Sequence, residues 1–127
     1  MQETLDGVLG FEVLDMGRDH ASGRFEVANR HRQPFGIVHG GVYAAFAEGL
    51  CSGATYVQVK EGGKIAVGSS NFTSFLRPVS EGVVTATARA LHSGRTSWVW
   101  ECEFTTEQGK RCAVTRVTLA VIDPQPR

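Results

Sequence analysis

The chain reads as an α+β protein in which one long helix packs on a curved antiparallel sheet of five to six strands. Three observations predict this. Only one segment, from about Gly40 to Val57, has helical character; most of the remainder alternates apolar and polar residues; and turn-forming pairs cut it into short runs. The connections after residue 60 are too short for parallel crossovers, so the strands are expected to be antiparallel. At 127 residues the chain fits one domain, 1–127, with one core.

In chain order, the first turn signal is Gly17-Arg18-Asp19. The stretch Gln33-Pro34-Phe35-Gly36-Ile37-Val38-His39-Gly40-Gly41 then reads as a loop entering a helix through two glycines. Their bare backbones let a ligand reach the N–H groups of the first turn, where the helix dipole is positive, a candidate oxyanion hole. Gln33 adds an amide donor. Along the helix, Tyr43, Phe46, Leu50 and Val57 form a bulky stripe expected to face the sheet. Glu48 points about 200° away from Phe46 and Leu50, on a face with Gly41, Ala44, Ala45, Ser52 and Thr55 that is small enough to admit another backbone. A small domain has no second layer to place there, so a two-fold dimer is expected, with Glu48 at or beside the subunit interface.

Glu48 is the only acidic residue between Glu26 and Glu61, and its neighbours are small or apolar. Such surroundings strip hydration from a carboxylate and disfavour its charged form unless donors converge on it. Ser52, one turn on, is placed to hold that carboxylate or a water. After the turn at Glu61-Gly62-Gly63 and another at Glu81-Gly82, Val84, Ala86, Ala88 and Ala90 oppose Thr85, Thr87 and Arg89 with the period of a half-buried strand. Ser93-Gly94 ends it. Trp98, Trp100, Cys102 and Phe104 alternate with Val99, Glu101 and Glu103; Gln108-Gly109 turns the chain; Ala113, Thr115, Val117, Leu119 and Val121 make the mostly apolar face of a last strand.

Thirteen basic residues balance thirteen acidic ones, so no overall field draws the chain to nucleic acid or an anionic membrane. The start, Met1-Gln2-Glu3-Thr4-Leu5-Asp6, lacks the features of a signal peptide, and no apolar run approaches the roughly 20 residues that span a bilayer, so a cytoplasmic location is expected. Cys51, Cys102 and Cys112 form no C-x-x-C pair and read as buried structural thiols. His20, His31 and His92 have no metal-ligand spacing, and no phosphate-binding glycine signature is present, so neither metal nor cofactor is expected.

The ordered set Gln33, His39-Gly40-Gly41, Glu48 and Ser52 resembles the hotdog-fold acyl-CoA thioesterases, in the branch of phenylacetic-acid-degradation and Arthrobacter-type 4-hydroxybenzoyl-CoA thioesterases. The likeness continues through Phe75-Leu76-Arg77-Pro78 and Leu91-His92-Ser93-Gly94-Arg95-Thr96 to the last strand. It implies homodimers, commonly paired as tetramers, with active sites shared between subunits and an acyl-CoA substrate. By resemblance, Glu48 is the nucleophile or general base, the Gly40 N–H polarises the thioester carbonyl, and Gln33 orients the thioester from the opposite subunit. Ser52 positions water, and His39 supports the loop or contacts the sulfur. Gly41 and Phe75 line the substrate, while Arg77, Arg95, Thr96 and Ser97 fall at coenzyme A contacts. The enterobactin and menaquinone relatives commonly carry a histidine just before the Arg-Pro pair. This chain has Thr73-Ser74-Phe75-Leu76, so Phe75 gives an apolar wall suited to aromatic or medium-chain acyl groups. A hotdog enoyl-CoA hydratase or dehydratase and a non-catalytic acyl-CoA sensor are the alternatives.

Overall fold

The computed structural model describes residues 4–125. A single-turn helix α1 (Leu5–Val8) leads into strands β1 (Glu12–Met16) and β2 (His20–Glu26), a 3₁₀ turn at Asn29–His31, and the long helix α2 (Gly40–Val59). Four longer strands follow: β3 (Ile65–Phe75), β4 (Val83–Ser93), β5 (Ser97–Thr105) and β6 (Arg111–Ile122). All six pair antiparallel in the order β1-β2-β4-β5-β6-β3, which leaves β1 and β3 as edges. The result is the hotdog architecture expected from the sequence, one helix in a curved sheet. Register shifts at Val13/Asp15, Gly68/Ser70, Ala90/His92 and Phe104/Thr105 add local bend and twist. Among the described residues no helix is long and apolar enough to cross a membrane.

The core lies between α2 and the concave face of the sheet. Phe46 stacks on Phe11 with ring centroids 4.3 Å apart and meets Phe104 edge-on, and Phe25 is buried among the same rings. Such offset and edge-on pairs suit the aromatic quadrupole. Alternation in β5 is realised fully, with Trp98, Trp100, Cys102 and Phe104 all inside. Tyr43, Phe46 and Leu50 of the bulky stripe are buried, but Val57 is not. It is 42% exposed beside exposed Tyr56 and Gln58, and Val59 packs partly against the core in that turn.

Thr55 corrects the helical wheel in the other direction. It was expected on the open face with Glu48, yet it is fully buried. Its Oγ1 donates to Cys51 O (2.8 Å) and accepts the Trp100 Nε1–H (2.9 Å). A buried indole N–H needs an acceptor, and the sheet curls far enough round α2 for Thr55 to supply it. The three cysteines are free and buried, and burial pushes the Cys102 thiol up to about 12 and raises those of Cys51 and Cys112 as well.

Candidate active site

The loop before α2 is set by its own backbone. Gln33 N–H donates to Ile37 O (2.8 Å), Gly36 N–H to Gln33 O (2.9 Å), and Gly36 takes φ +88°, which a residue with a Cβ rarely adopts. Within this turn the Gln33 Oε1 accepts the Phe35 N–H, so the side-chain NH₂ group is left to face a ligand. His39 is the N-cap of α2: its Nδ1 accepts the Gly41 N–H (2.8 Å), while its carbonyl accepts the Val42 N–H (2.9 Å). An accepting Nδ1 places the ring proton on Nε2. Among these first-turn donors Gly40 N–H alone keeps no partner within the described residues.

That N–H and the Gln33 amide open on one cleft of 370 Å³. Its walls are Ile37, Val38, Val79 and Phe75, with Tyr43 at the floor and Arg77 at the rim. The Phe75 ring lies directly on Gly40; a Cβ added to Gly40 would stand 2.6 Å from it. Gly40 therefore lets an apolar ring and a free backbone donor share one spot. The Tyr43 hydroxyl is buried beside the Cys112 thiol and makes no hydrogen bond of normal geometry; burial raises the pKa of both groups.

Glu48 is elsewhere. It lies about 12 Å further along α2 and borders a second, smaller cavity of 230 Å³ with Gly68, Ser69, Ser70 and Asn71 of β3. The sequence suggested a carboxylate stripped of water, but in this chain Glu48 is exposed, on a face of α2 that is only partly covered, with Ala44, Ala45 and Ser52 half-buried. Ser52 does not reach it either, because its Oγ donates to Gly49 O (3.3 Å). A residue that the sequence did not single out does approach. The Asp6 carboxylate lies on Gly49, where a Cβ would meet Oδ2 at 2.6 Å. Burial, then the charge of Glu48, raises the Asp6 pKa. The only signal for it was a lone acid in the turn Leu5-Asp6-Gly7-Val8.

The coenzyme A candidates also separate into two groups. Arg95, Thr96 and Ser97 form the β4–β5 turn, tied by the bonds of Gly94 N–H to Ser97 O (2.9 Å) and Val121 N–H to Thr96 O (3.0 Å). Ser97 pairs with Ala120 of β6, whereas Phe75, just before Arg77, pairs with Ala113. Along β6 that separation is on the order of 24 Å, so in one chain the two arginines cannot grip the same phosphate. One end of the molecule thus carries Gln33, Gly40, Phe75 and Arg77; Glu48 lies towards the end that carries Arg95, Thr96 and Ser97.

Comparison with known proteins gives a consistent result. The thioesterase superfamily model matches residues 35–113. A putative esterase of Haemophilus influenzae is 42% identical over 115 residues, covering 91% of this chain and 83% of that protein. The proofreading thioesterase EntH of Cronobacter turicensis is 40% identical over 119 residues, covering 94% and 86%. Among solved structures, a mutant thioesterase of Pseudomonas aeruginosa superposes with a TM-score of 0.91 at 33% identity, over 95% of this chain and 87% of that one.

Proposed function

As the chain belongs to the thioesterase superfamily and is a thioester hydrolase, we propose that it hydrolyses aromatic or medium-chain acyl-CoA to the free acid and coenzyme A in a homodimer with shared sites. The observation that carries this reading is the meeting of two unpartnered donors, Gly40 N–H and the Gln33 amide, in an apolar cleft. Donors aimed at the carbonyl oxygen stabilise the charge that develops there as the thioester is attacked. Within the superfamily we assign the chain to the phenylacetic-acid-degradation and Arthrobacter-type branch on the pattern Gln33, His39-Gly40-Gly41 and Glu48.

The attacking group is Glu48 of the second subunit. As a nucleophile, its carboxylate forms an anhydride and releases coenzyme A thiolate, and water then hydrolyses the anhydride; as a general base it takes the proton of that water directly. A thiolate leaves readily, so little acid assistance is needed. Ser52 and His39 support the water and the loop, Gly41 and Phe75 line the acyl group, and Arg77 of one chain with Arg95, Thr96 and Ser97 of the other meets the phosphates. Two features support the dimer. Edge strand β3 is long and mostly exposed, with Phe72 75% exposed, and such an edge invites pairing with another chain. The complementary groups also lie apart along one chain, as a two-fold axis would require. Free, buried cysteines accord with a cytoplasmic enzyme.

The test is release of thiol, followed with a disulfide dye, from benzoyl-, phenylacetyl- and straight-chain acyl-CoA. Glu48→Ala is expected to lower kcat by at least about 10³ with KM little changed, because the carboxylate acts chiefly in the transition state. Hydrolysis at the wild-type rate in that variant would remove Glu48 from the chemistry. Binding without thiol release by the wild type would leave a sensor.

A further inference from the structure

The Glu48 side chain lies across the backbone of Gly68. A Cβ built on that glycine would stand 2.6 Å from Oε2, 2.9 Å from Cδ and 3.2 Å from Cγ of Glu48. Carbon atoms in favourable contact sit about 3.5–4.0 Å apart, so the carboxylate occupies the space that any other side chain at position 68 would take. Gly68 is not among the positive-φ glycines, which are Gly10, Gly36, Gly63, Gly82 and Gly109. The position therefore uses the missing Cβ, not the freedom of the backbone. A glycine inside a strand often marks such a close approach.

Two further observations fix the strand at this spot. β3 is bulged here: Gly68 pairs with Leu119 and Ser70 with Thr118, while the intervening Ser69 anchors its Oγ to Thr118 O (3.2 Å). Asn71 Nδ2 donates to Ala44 O (2.9 Å), the carbonyl that in an α-helix accepts the N–H of Glu48 itself. The amide of Asn71 is in turn oriented by the Thr73 Oγ1–H, which donates to its Oδ1 (2.8 Å). Strand and helix are thus pinned on the turn that carries the carboxylate, with Gly68 beneath it.

We propose that Gly68, with the Ser69 bulge and the Asn71 clamp, is the seat that holds the Glu48 carboxylate in line for the thioester carbonyl, and that Gly68 and Asn71 are positioning residues for the hydrolysis. The inference rests on Glu48 as the reacting carboxylate. A Cβ at position 68 meets only the far part of a flexible side chain, so what moves is the carboxylate and not the fold. A misplacement of about 1 Å in an attacking group can cost about 10²-fold in rate.

The experiment compares wild type, Gly68→Ala, Glu48→Asp, the double variant and Glu48→Ala in the thiol-release assay, with urea midpoints alongside. Gly68→Ala is expected to lose about 10² in kcat with KM and midpoint little changed. Aspartate is one methylene shorter and withdraws from the added methyl, so in the Glu48→Asp background the alanine should cost less than about threefold. Wild-type kcat in Gly68→Ala, or the same loss in both backgrounds, overturns the seat. Should Gly68→Ala not fold, Asn71→Ala carries the same kcat and KM expectation, and an unchanged kcat overturns the proposal there. Full activity in Glu48→Ala instead overturns the underlying assignment, an outcome read separately on the same plate.

Discussion

At His39 a single ring nitrogen decides which backbone donors stay available to a substrate. By accepting the Gly41 N–H it satisfies one orphan of the helix start, and the Gly40 N–H is left over. His39→Ala should therefore destabilise the fold by about 1 kcal/mol, seen as a lower urea midpoint, while His39→Asn, which keeps an acceptor, should recover most of the loss. At this scale the sequence was informative where the site is local. Gln33, His39, Gly40 and Glu48 stood out because unusual residue types lie close together around one helix start. Asp6 and Gly68 did not, because each reaches Glu48 only through tertiary packing, one from α1 and the other from β3. Ser52, whose spacing suggested the carboxylate or a water as a partner, bonds its own backbone at Gly49 O, as a serine inside a helix readily does.

Among elements, the start of the chain is fastened to the loop before α2 by His31, whose carbonyl accepts the His39 N–H (2.8 Å). The ring is fully buried; Nδ1 accepts the Ala28 N–H (2.9 Å) and Nε2–H donates to Leu9 O (2.6 Å). Burial holds its pKa below that of a free histidine. The unfolded chain then takes up a proton first, so the stability contributed by the neutral ring is present above the unfolded pKa of about 6.5 and declines as pH falls below it. A urea midpoint that drops between pH 7 and 5 in the wild type, and less steeply in His31→Gln, is the expected outcome. Element legibility followed burial except at β2, whose covered face of Ala21, Gly23 and Phe25 is too small-sided to stand out in the sequence. α2 and β4 to β6 were plain because each has one covered face and therefore a clean period. β1 and β3 were obscure because edge strands in a lone chain show solvent on almost every residue. Thr55 and Val57 were misjudged because a helical wheel knows angle but not where a curved sheet begins and ends.

Over the whole molecule, the division of donors and carboxylate between two places means that, on the proposed reading, catalysis is a property of a pair of chains. Inactive Gln33→Ala and Glu48→Ala proteins, mixed and allowed to exchange subunits, should regain about a quarter of wild-type activity, since half of the dimers are mixed and each mixed dimer holds one intact site of two. No recovery after proven exchange would return both residues to one chain. No single motif could give this division, because it depends on the length of α2 and the register of β3 on β6, which set the distance between the groups. The buried cysteines also take on meaning at this scale. On the proposed acyl-CoA reading, every turnover liberates coenzyme A, a thiol whose disulfides exchange with exposed protein thiolates. Cys51, Cys102 and Cys112 are all 0% exposed and held protonated by burial, so none can attack a disulfide of the product. With that product, burial of the three thiols would keep the enzyme from being capped by what it makes.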